Sequence, residues 1–251
     1  MRRAILTFAC AAPVVFLVFV WRWPWPSLGI LALSHALLLY PTLRPSSQWL
    51  GPVFTAFDAA AKELWLTIDD GPTEDTPALL DLLESRGIRA TFFVKGTLAE
   101  AAPDLVAEIA RHGHQIGNHS QTHPSASFWC LPPGSVRREI EQCDDVLSSI
   151  LGTAPTLFRA PVGMKNPFVH PVLRKRGMRL IGWSSRGFDA VKSDVAGIVR
   201  SIEAGLEPGA IVVLHQGRPW SLEAIEAVIA AARSRGYSFV LPDAVRLKTK
   251  R

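Results

Sequence analysis

The sequence predicts an α/β fold: a parallel sheet covered by helices, closed into a barrel and preceded by one or two apolar membrane segments. Two observations carry the barrel. From residue 64 to residue 240, short apolar runs rich in branched side chains alternate with stretches of helical periodicity. Such βα alternation with strands apolar on both faces requires a parallel sheet under helices, either an open doubly wound sheet or a barrel. The polar residues then decide between the two. Asp69, Asp70, His119, Arg159, Asp189 and His215 all fall at or just after the carboxyl end of a strand, and in a barrel those ends form one mouth.

The membrane segments come first in the chain. Met1-Arg2-Arg3 precedes seventeen uncharged residues, 4–20, which at 1.5 Å per residue give roughly 26 Å of helix, close to the apolar thickness of a bilayer. A basic start and apolar centre also fit a signal peptide, but Arg22, Trp23, Pro24, Trp25 and Pro26 stand where cleavage needs small residues. Bulky aromatics suit the membrane interface instead. A second apolar run, 27–43, carries only His35 as a chargeable group and either crosses again or lies in the interface. Arg2 and Arg3 favour a cytoplasmic N-terminus, so one crossing exports the catalytic domain and a hairpin returns it to the cytoplasm.

Residues 1–43 therefore read as a membrane anchor, 44–61 as a linker and 62–242 as one catalytic domain. Residues 243–251 form a basic tail with Arg246, Lys248, Lys250 and Arg251, a solvated end that an anionic membrane surface would attract. The formal charge of +5 over 251 residues is otherwise dispersed, with no interleaved basic and aromatic pattern, so nucleic acid is not an expected partner. Cys10 lies in the leader, while Cys130 and Cys143 either pair in an oxidising compartment or remain two buried thiols. Nothing in the sequence signals an oligomeric state.

Within the domain the pattern predicts strands at 64–68, 90–94, 115–118, 156–159, 179–183, 210–214 and 238–240. Helices are expected at 76–86, 103–112, 135–151, 167–176, 194–205 and 221–235. The first strand ends in Asp69-Asp70-Gly71-Pro72. Adjacent strand residues point to opposite sides, so the two acids cannot both face the core, and Gly-Pro stops the strand beside them. The pair reads as catalytic or metal-binding, or as a polar turn capping the next helix.

His119-Ser-Gln-Thr-His123 follows the third strand, and its i, i+4 spacing on a helical turn places both imidazoles on one side. With Asp70, these two histidines supply the His₂-carboxylate set of a catalytic zinc or related divalent ion; two unrelated surface histidines are the bland alternative. Phe158-Arg159-Ala-Pro-Val-Gly163 puts an arginine at a strand end between apolar neighbours, where it can hold a carboxylate bidentately. Ile211-Val-Val-Leu-His215 delivers one histidine to the mouth, with Asp189 available to hold its tautomer.

Taken together, these four segments resemble the polysaccharide deacetylase (NodB-homology) domain of the family 4 carbohydrate esterases. The family's Thr-Phe-Asp-Asp-Gly-Pro is similar to Thr67–Pro72, its His-Ser-x-x-His to His119–His123, its Arg-x-Pro-x-Gly to Arg159–Gly163 and its Leu-x-His to Val213–His215, over about residues 62–242. The resemblance implies a distorted (β/α)₇ barrel and metal-dependent removal of an N- or O-acetyl group from a cell-envelope carbohydrate. It also implies a divalent cofactor, zinc first and cobalt or another ion as alternatives. By the same resemblance Asp69 is the general base, Asp70, His119 and His123 are the metal ligands, and His215 is the general acid beside Asp189. Arg159 steadies Asp69, the Val162 N–H meets the oxyanion and Leu214 lines the acetyl pocket. The partners implied are a carbohydrate substrate and the membrane, with the domain anchored at a bacterial inner membrane, periplasmic or extracellular.

The chain departs from the family at Arg186-Gly-Phe-Asp189-Ala190, where Asp-x-x-Asp-Trp is usual: one charge is reversed and an aromatic sugar platform is lost. Arg186 thereby becomes a substrate-binding candidate for an anionic group. Val162 stands where a tyrosine is usual. The competing readings are a carbohydrate-binding or scaffold barrel without turnover, and another metal-dependent amidohydrolase, which would carry His-x-His after its first strand.

Overall fold

The computed structural model describes residues 1–242 and 246–249. Two helices open the chain, α1 (Arg2–Phe19) and α2 (Pro24–Leu43). A four-residue turn joins them, with Phe19 and Trp23 stacked at 5.8 Å, and Met1 and Arg44 wall the same cleft. The pair is therefore an antiparallel hairpin whose two free ends lie at the barrel. Trp21, Trp23 and Trp25 are exposed at its far end. Both helices are candidate membrane spans, 18 and 20 residues long with mean hydropathy 1.8 and 1.3.

The barrel strands come next, preceded by the short β1 (Ala56–Phe57). They are β2 (Glu63–Gly71), β3 (Thr91–Val94), β4 (Gln115–Asn118), β5 (Leu157–Phe158), β6 (Arg179–Leu180), β7 (Ser185–Arg186) and β8 (Ala210–His215). β8, β2, β3, β4, β5 and β6 run side by side, all parallel, as a continuous half-barrel. On its other edge β8 pairs in parallel with β7 and, at Ala210, antiparallel with β1. The seam toward β6 is bridged by Phe54, which pairs with Ile181. Seven parallel strands with a plugged seam make a distorted (β/α)₇ barrel.

Strand β2 sets the layers by its period of two. Leu64, Leu66 and Ile68 face outward into the main core with Leu79 and Leu83 of α3 (Thr76–Ser85) and Val228 and Ile229 of α9 (Ser221–Ser234). Trp65, Thr67 and Asp69 face inward. Trp65 packs with Phe93, Leu157 and Ile211, and its indole N–H donates to Thr91 Oγ1 (2.8 Å). The remaining outer helices are α4 (Gly96–Ala101), α5 (Pro103–Arg111), α6 (Pro133–Leu151), α7 (Val169–Lys175) and α8 (Val195–Glu203). Proline at the first position of α5, Asp104 in its first turn and Arg111 in its last agree with the helix dipole. Gly152, left-handed at φ 72°, ends α6.

Several expectations are corrected. The segment 238–240 is not a barrel strand: among the described residues β9 (Ser238–Phe239) pairs only with the start of β2, and the seventh barrel strand is β7. Two residues beyond Gly182, without an apolar run, leave no periodicity to read. The stretch 44–61 is largely built into the barrel, with Leu50, Val53 and Phe57 buried. The basic tail is not simply solvated, since β10 (Leu247–Lys248) pairs with β1, Arg246 bridges to Glu63 at 2.6 Å and Lys248 pairs with Asp58. Lys250 and Arg251 lie outside the described residues. Cys130 and Cys143 are both free, the first exposed and the second buried.

Candidate active site

The strand ends open on a pocket of about 380 Å³. Asp69 continues the inward face of β2, and the register then shifts between Asp69 and Gly71. The shift bulges Asp70, at φ 75°, so that it too reaches the pocket. Gly71 is required by a close approach: a Cβ there would sit 1.3 Å from the Gln216 amide nitrogen. The acids do not cap α3, whose first turn is bounded by Asp75.

Asp69 is held by Arg159. The wholly buried guanidinium donates through Nη1 to Asp69 Oδ1 and Thr67 Oγ1 (2.7 Å each) and through Nη2 to Gly182 O (3.0 Å). Its carbon lies 4.2 Å from the Phe93 ring centre. Burial lowers the arginine pKa, and the Asp69 charge and hydrogen bond oppose it. The expected bidentate grip is absent: Nη1 alone reaches Asp69, while Nε and Nη2 donate to the Ile181 and Gly182 carbonyls, so the guanidinium is fixed and anchors Asp69 through Oδ1.

Asp70 Oδ1 is buried without a hydrogen-bond partner among the described residues. It lies 3.5 Å from His123 Nε2, 3.8 Å from His119 Nε2 and 3.5 Å from Lys95 Nζ. Burial raises the Asp70 pKa, but His119, His123, Lys95 and His215 together bring it below its ordinary value. His119 Nδ1 lies 2.9 Å from Arg159 O, which assigns the proton to Nδ1 and leaves the Nε2 lone pair toward Asp70. Burial lowers the pKa of both histidines, that of His123 to about 4, so both present neutral acceptors. The three ligand atoms lie within 4.8 Å of one another. An orphaned carboxylate oxygen facing two imidazole lone pairs fits a divalent cation.

The helical turn expected for 119–123 is absent. Ser120 and His123 are left-handed, at φ 67° and 53°. The Ser120 N–H donates to Asn118 Oδ1 (2.9 Å) and the His123 N–H to Ser120 Oγ (3.1 Å). Side-chain bonds from polar residues replace the helical ones, and the imidazoles still converge, 4.7 Å between ring centres.

Across the pocket, the His215 N–H donates to Asp189 Oδ2 (2.6 Å), and Nδ1 lies 3.1 Å from Asp189 Oδ1. Burial lowers the His215 pKa, but the Asp189 hydrogen bond and the charges of Asp69, Asp189 and Asp70 outweigh it, and the net shift is upward. Val162, at φ 48°, walls the pocket with its side chain exposed. Arg186 lies 3.8 Å over the Phe188 ring and 5.7 Å from Trp183. It forms no salt bridge among the described residues. Leu214 does not line the pocket. It is wholly buried in the outer core, and Val213 takes the wall position, because alternation puts 213 and 215 on one side of β8 and 214 on the other.

Lys95, Trp183 and Phe188 also line the pocket, and the sequence motifs do not single them out. Lys95 directly follows β3, so the strand-end rule that selects the other polar residues applies to it equally. Phe188 points inward through a left-handed backbone, φ 61°, which no pattern announces. Among the described residues, the non-glycine positions with positive φ are Asp70, Ser120, His123, Val162 and Phe188. All lie in or beside this pocket, where such strain, about 1–3 kcal/mol each, commonly clusters with function.

The sequence model of the family described as Polysaccharide deacetylase matches residues 58–181. Among curated proteins the chain is similar to a chitooligosaccharide deacetylase of Bradyrhizobium sp. (strain ANU 289), 34% identical over 73% of this chain and 85% of that one. Among solved structures it is similar to the Bc1960 peptidoglycan N-acetylglucosamine deacetylase, with TM-score 0.70 and 28% identity over 78% of this chain and 94% of that one. A family 4 carbohydrate esterase pseudoenzyme from Bacillus anthracis, 23% identical, shares the fold at TM-score 0.69 over 76% of this chain and 68% of that one. Fold therefore does not decide turnover here, and the site residues must carry that argument.

Proposed function

We propose that this chain, which belongs to the polysaccharide deacetylase family, hydrolyses the acetyl group of an N-acetylated sugar in a cell-envelope glycan. The observation that carries this reading is the pairing of an orphaned Asp70 carboxylate beside two neutral imidazoles with a separate Asp189–His215 couple across one pocket. Asp70, His119 and His123 would hold a divalent ion, zinc first, with cobalt or another divalent ion as alternatives. Such an ion supplies Lewis acidity toward the acetyl carbonyl and acidifies the attacking water.

The chain's own groups do the rest. Asp69, fixed through Oδ1 by Arg159, accepts the water proton through Oδ2. The backbone N–H of Val162 stabilises the oxyanion. His215 donates a proton from Nε2 to the sugar nitrogen as the C–N bond breaks, giving acetate and the free amine. Asp189 keeps the Nδ1 proton in place. Trp183 and Phe188 offer aromatic faces to the sugar in place of the platform lost at Ala190, and Arg186 contacts an anionic substituent.

The helices α1 and α2 are proposed to cross the bacterial inner membrane together. At 1.5 Å per residue they span roughly 27–30 Å. Arg2, Arg3 and Arg44 then lie on the barrel side and Arg22 at the far turn, a balance that favours a cytoplasmic barrel over the periplasmic or extracellular one that the family resemblance implies. Reporter fusions at residue 22 and at the C-terminus test this by opposite compartments.

Acetate release from a panel of N-acetylated glycans, with added Zn²⁺ or Co²⁺, tests the activity. Binding of some glycans with release from none would establish the scaffold reading instead.

A further inference from the structure

The active pocket shares one wall with a second cleft beside the hairpin. Trp183 is that wall, and the second cleft, of about 560 Å³, has other walls that include Met1, Tyr40, Arg44 and Trp49. These residues belong to the ends of α1 and α2 and the segment just after them. We propose that this second cleft receives the lipid-phosphate end of the substrate, so that the acetylated sugar is processed while joined through a phosphate to a membrane lipid. The proposal rests on the deacetylase reading and adds the substrate class.

Three observations converge on it. The first is charge. Arg44 donates to the Tyr40 hydroxyl (2.9 Å), a neutral partner, and Arg186 lies over Phe188 and Trp183. Neither forms a salt bridge among the described residues, so each of the two adjoining clefts holds one guanidinium group with anion-binding capacity unspent. The second is position. Apolar helices of this length end at the bilayer surface, where lipid phosphates lie, and Tyr40 and Trp49, 4.8 Å between ring centres, are residues suited to that depth.

The third is the rigidity of the junction. The buried Lys165 ammonium donates to Arg44 O and Pro45 O, 2.9 Å each, and the Lys165 N–H to Thr42 O (3.2 Å). Gly163, left-handed at φ 73°, is pressed between Trp183 and Pro45, and a Cβ there would lie 2.4 Å and 2.8 Å from them. The end of α2 is thus seated on the loop that carries Val162. A tether serving only to retain the enzyme in the membrane has no need of that fit. Seating it fixes the distance from the membrane surface to the acetyl group, which matters when the substrate is itself held in the bilayer.

The chemistry is unchanged: the acetyl C–N bond breaks and the phosphate ester is untouched. Three substrates with the same N-acetylated sugar distinguish the sources of recognition: a neutral methyl glycoside, the sugar 1-phosphate, and its phosphodiester with a long-chain isoprenoid alcohol. The full chain is assayed in lipid nanodiscs. The expected kcat/KM rises along that series, by about tenfold or more at the lipid-linked step. Arg44→Ala, at an exposed side chain whose backbone carbonyl still meets Lys165, should cost the lipid-linked substrate at least about tenfold more than the neutral glycoside, chiefly in KM. Independently of any variant, the sugar-free isoprenoid phosphate should inhibit turnover of the neutral glycoside competitively. Equal kcat/KM for the three substrates, or equal losses in Arg44→Ala, or no inhibition, overturns the proposal while leaving deacetylation intact. Acetate from none of the three overturns the deacetylase reading and this one with it.

Discussion

Two clusters at the barrel mouth are built from the same residue types and end in opposite states. On the β2–β4 side, Asp70 faces His119 and His123 at 3.5–3.8 Å without hydrogen-bonding either, and burial holds both imidazoles neutral. On the β8 side, Asp189 bonds both the backbone and the ring of one histidine, and His215 is pushed toward its charged form. Burial acts against charge on all three imidazoles. The difference is whether a carboxylate hydrogen-bonds directly to the ring, so that its charge and bond outweigh desolvation. One arrangement leaves lone pairs for a cation, and the other stores a proton for a leaving group.

The largest way to break this contrast is Asp70→Ala. It should abolish acetate release and weaken Zn²⁺ binding by more than about 100-fold, read by metal titration alongside the rate. Asp69→Asn should lower kcat by about 10²–10⁴-fold with metal content intact. Equal metal loss in both variants would contradict the division of labour between the adjacent acids. Asp189→Asn is a smaller lever. It removes the bond and the charge that raise the His215 pKa, so the acid form is lost at lower pH and the alkaline limb of kcat/KM moves downward, at a cost of roughly tenfold near neutral pH. The acid limb should not move. Leu214→Ala should touch the chemistry least, costing about 2–5 kcal/mol of stability in denaturant titrations, with KM unchanged; a raised KM would return Leu214 to the pocket.

Much of the fold and site is legible in the sequence, for definite reasons. Strands at 64–68 and 90–94 are apolar enough to declare themselves, 115–118 follows from the βα alternation around it, and the polar residues at their ends point to one mouth. The elements that mislead are those where local pattern is short or overruled. β7 has two residues and no apolar run. The segment 50–57 reads as linker because its Phe54 and Phe57 fill a barrel seam that only tertiary closure creates. The 119–123 turn carries helical spacing, but Ser120 and Asn118 supply side-chain bonds that compete with a helix. Leu214 is expected in the pocket, although the Leu-x-His match sets the family's leucine at Val213 and the alternation along β8 assigns 214 to the opposite face. Phe188 reaches the pocket through a backbone conformation that sequence does not express.

The most direct test of the contrast is a histidine ring ¹⁵N titration of the metal-free protein, with peaks assigned by single substitutions. A raised folded-state pKa means that His215 keeps its proton as pH rises past the ordinary value of 6.5. The stability this contributes is present below that value and lost as pH climbs through the folded one. The lowered values mean that His119 and His123 stay neutral below pH 6.5, His123 until about pH 4. Two separated classes, one imidazole titrating above 6.5 and two below it, are the predicted result; three coincident titrations near 6.5 would contradict the account.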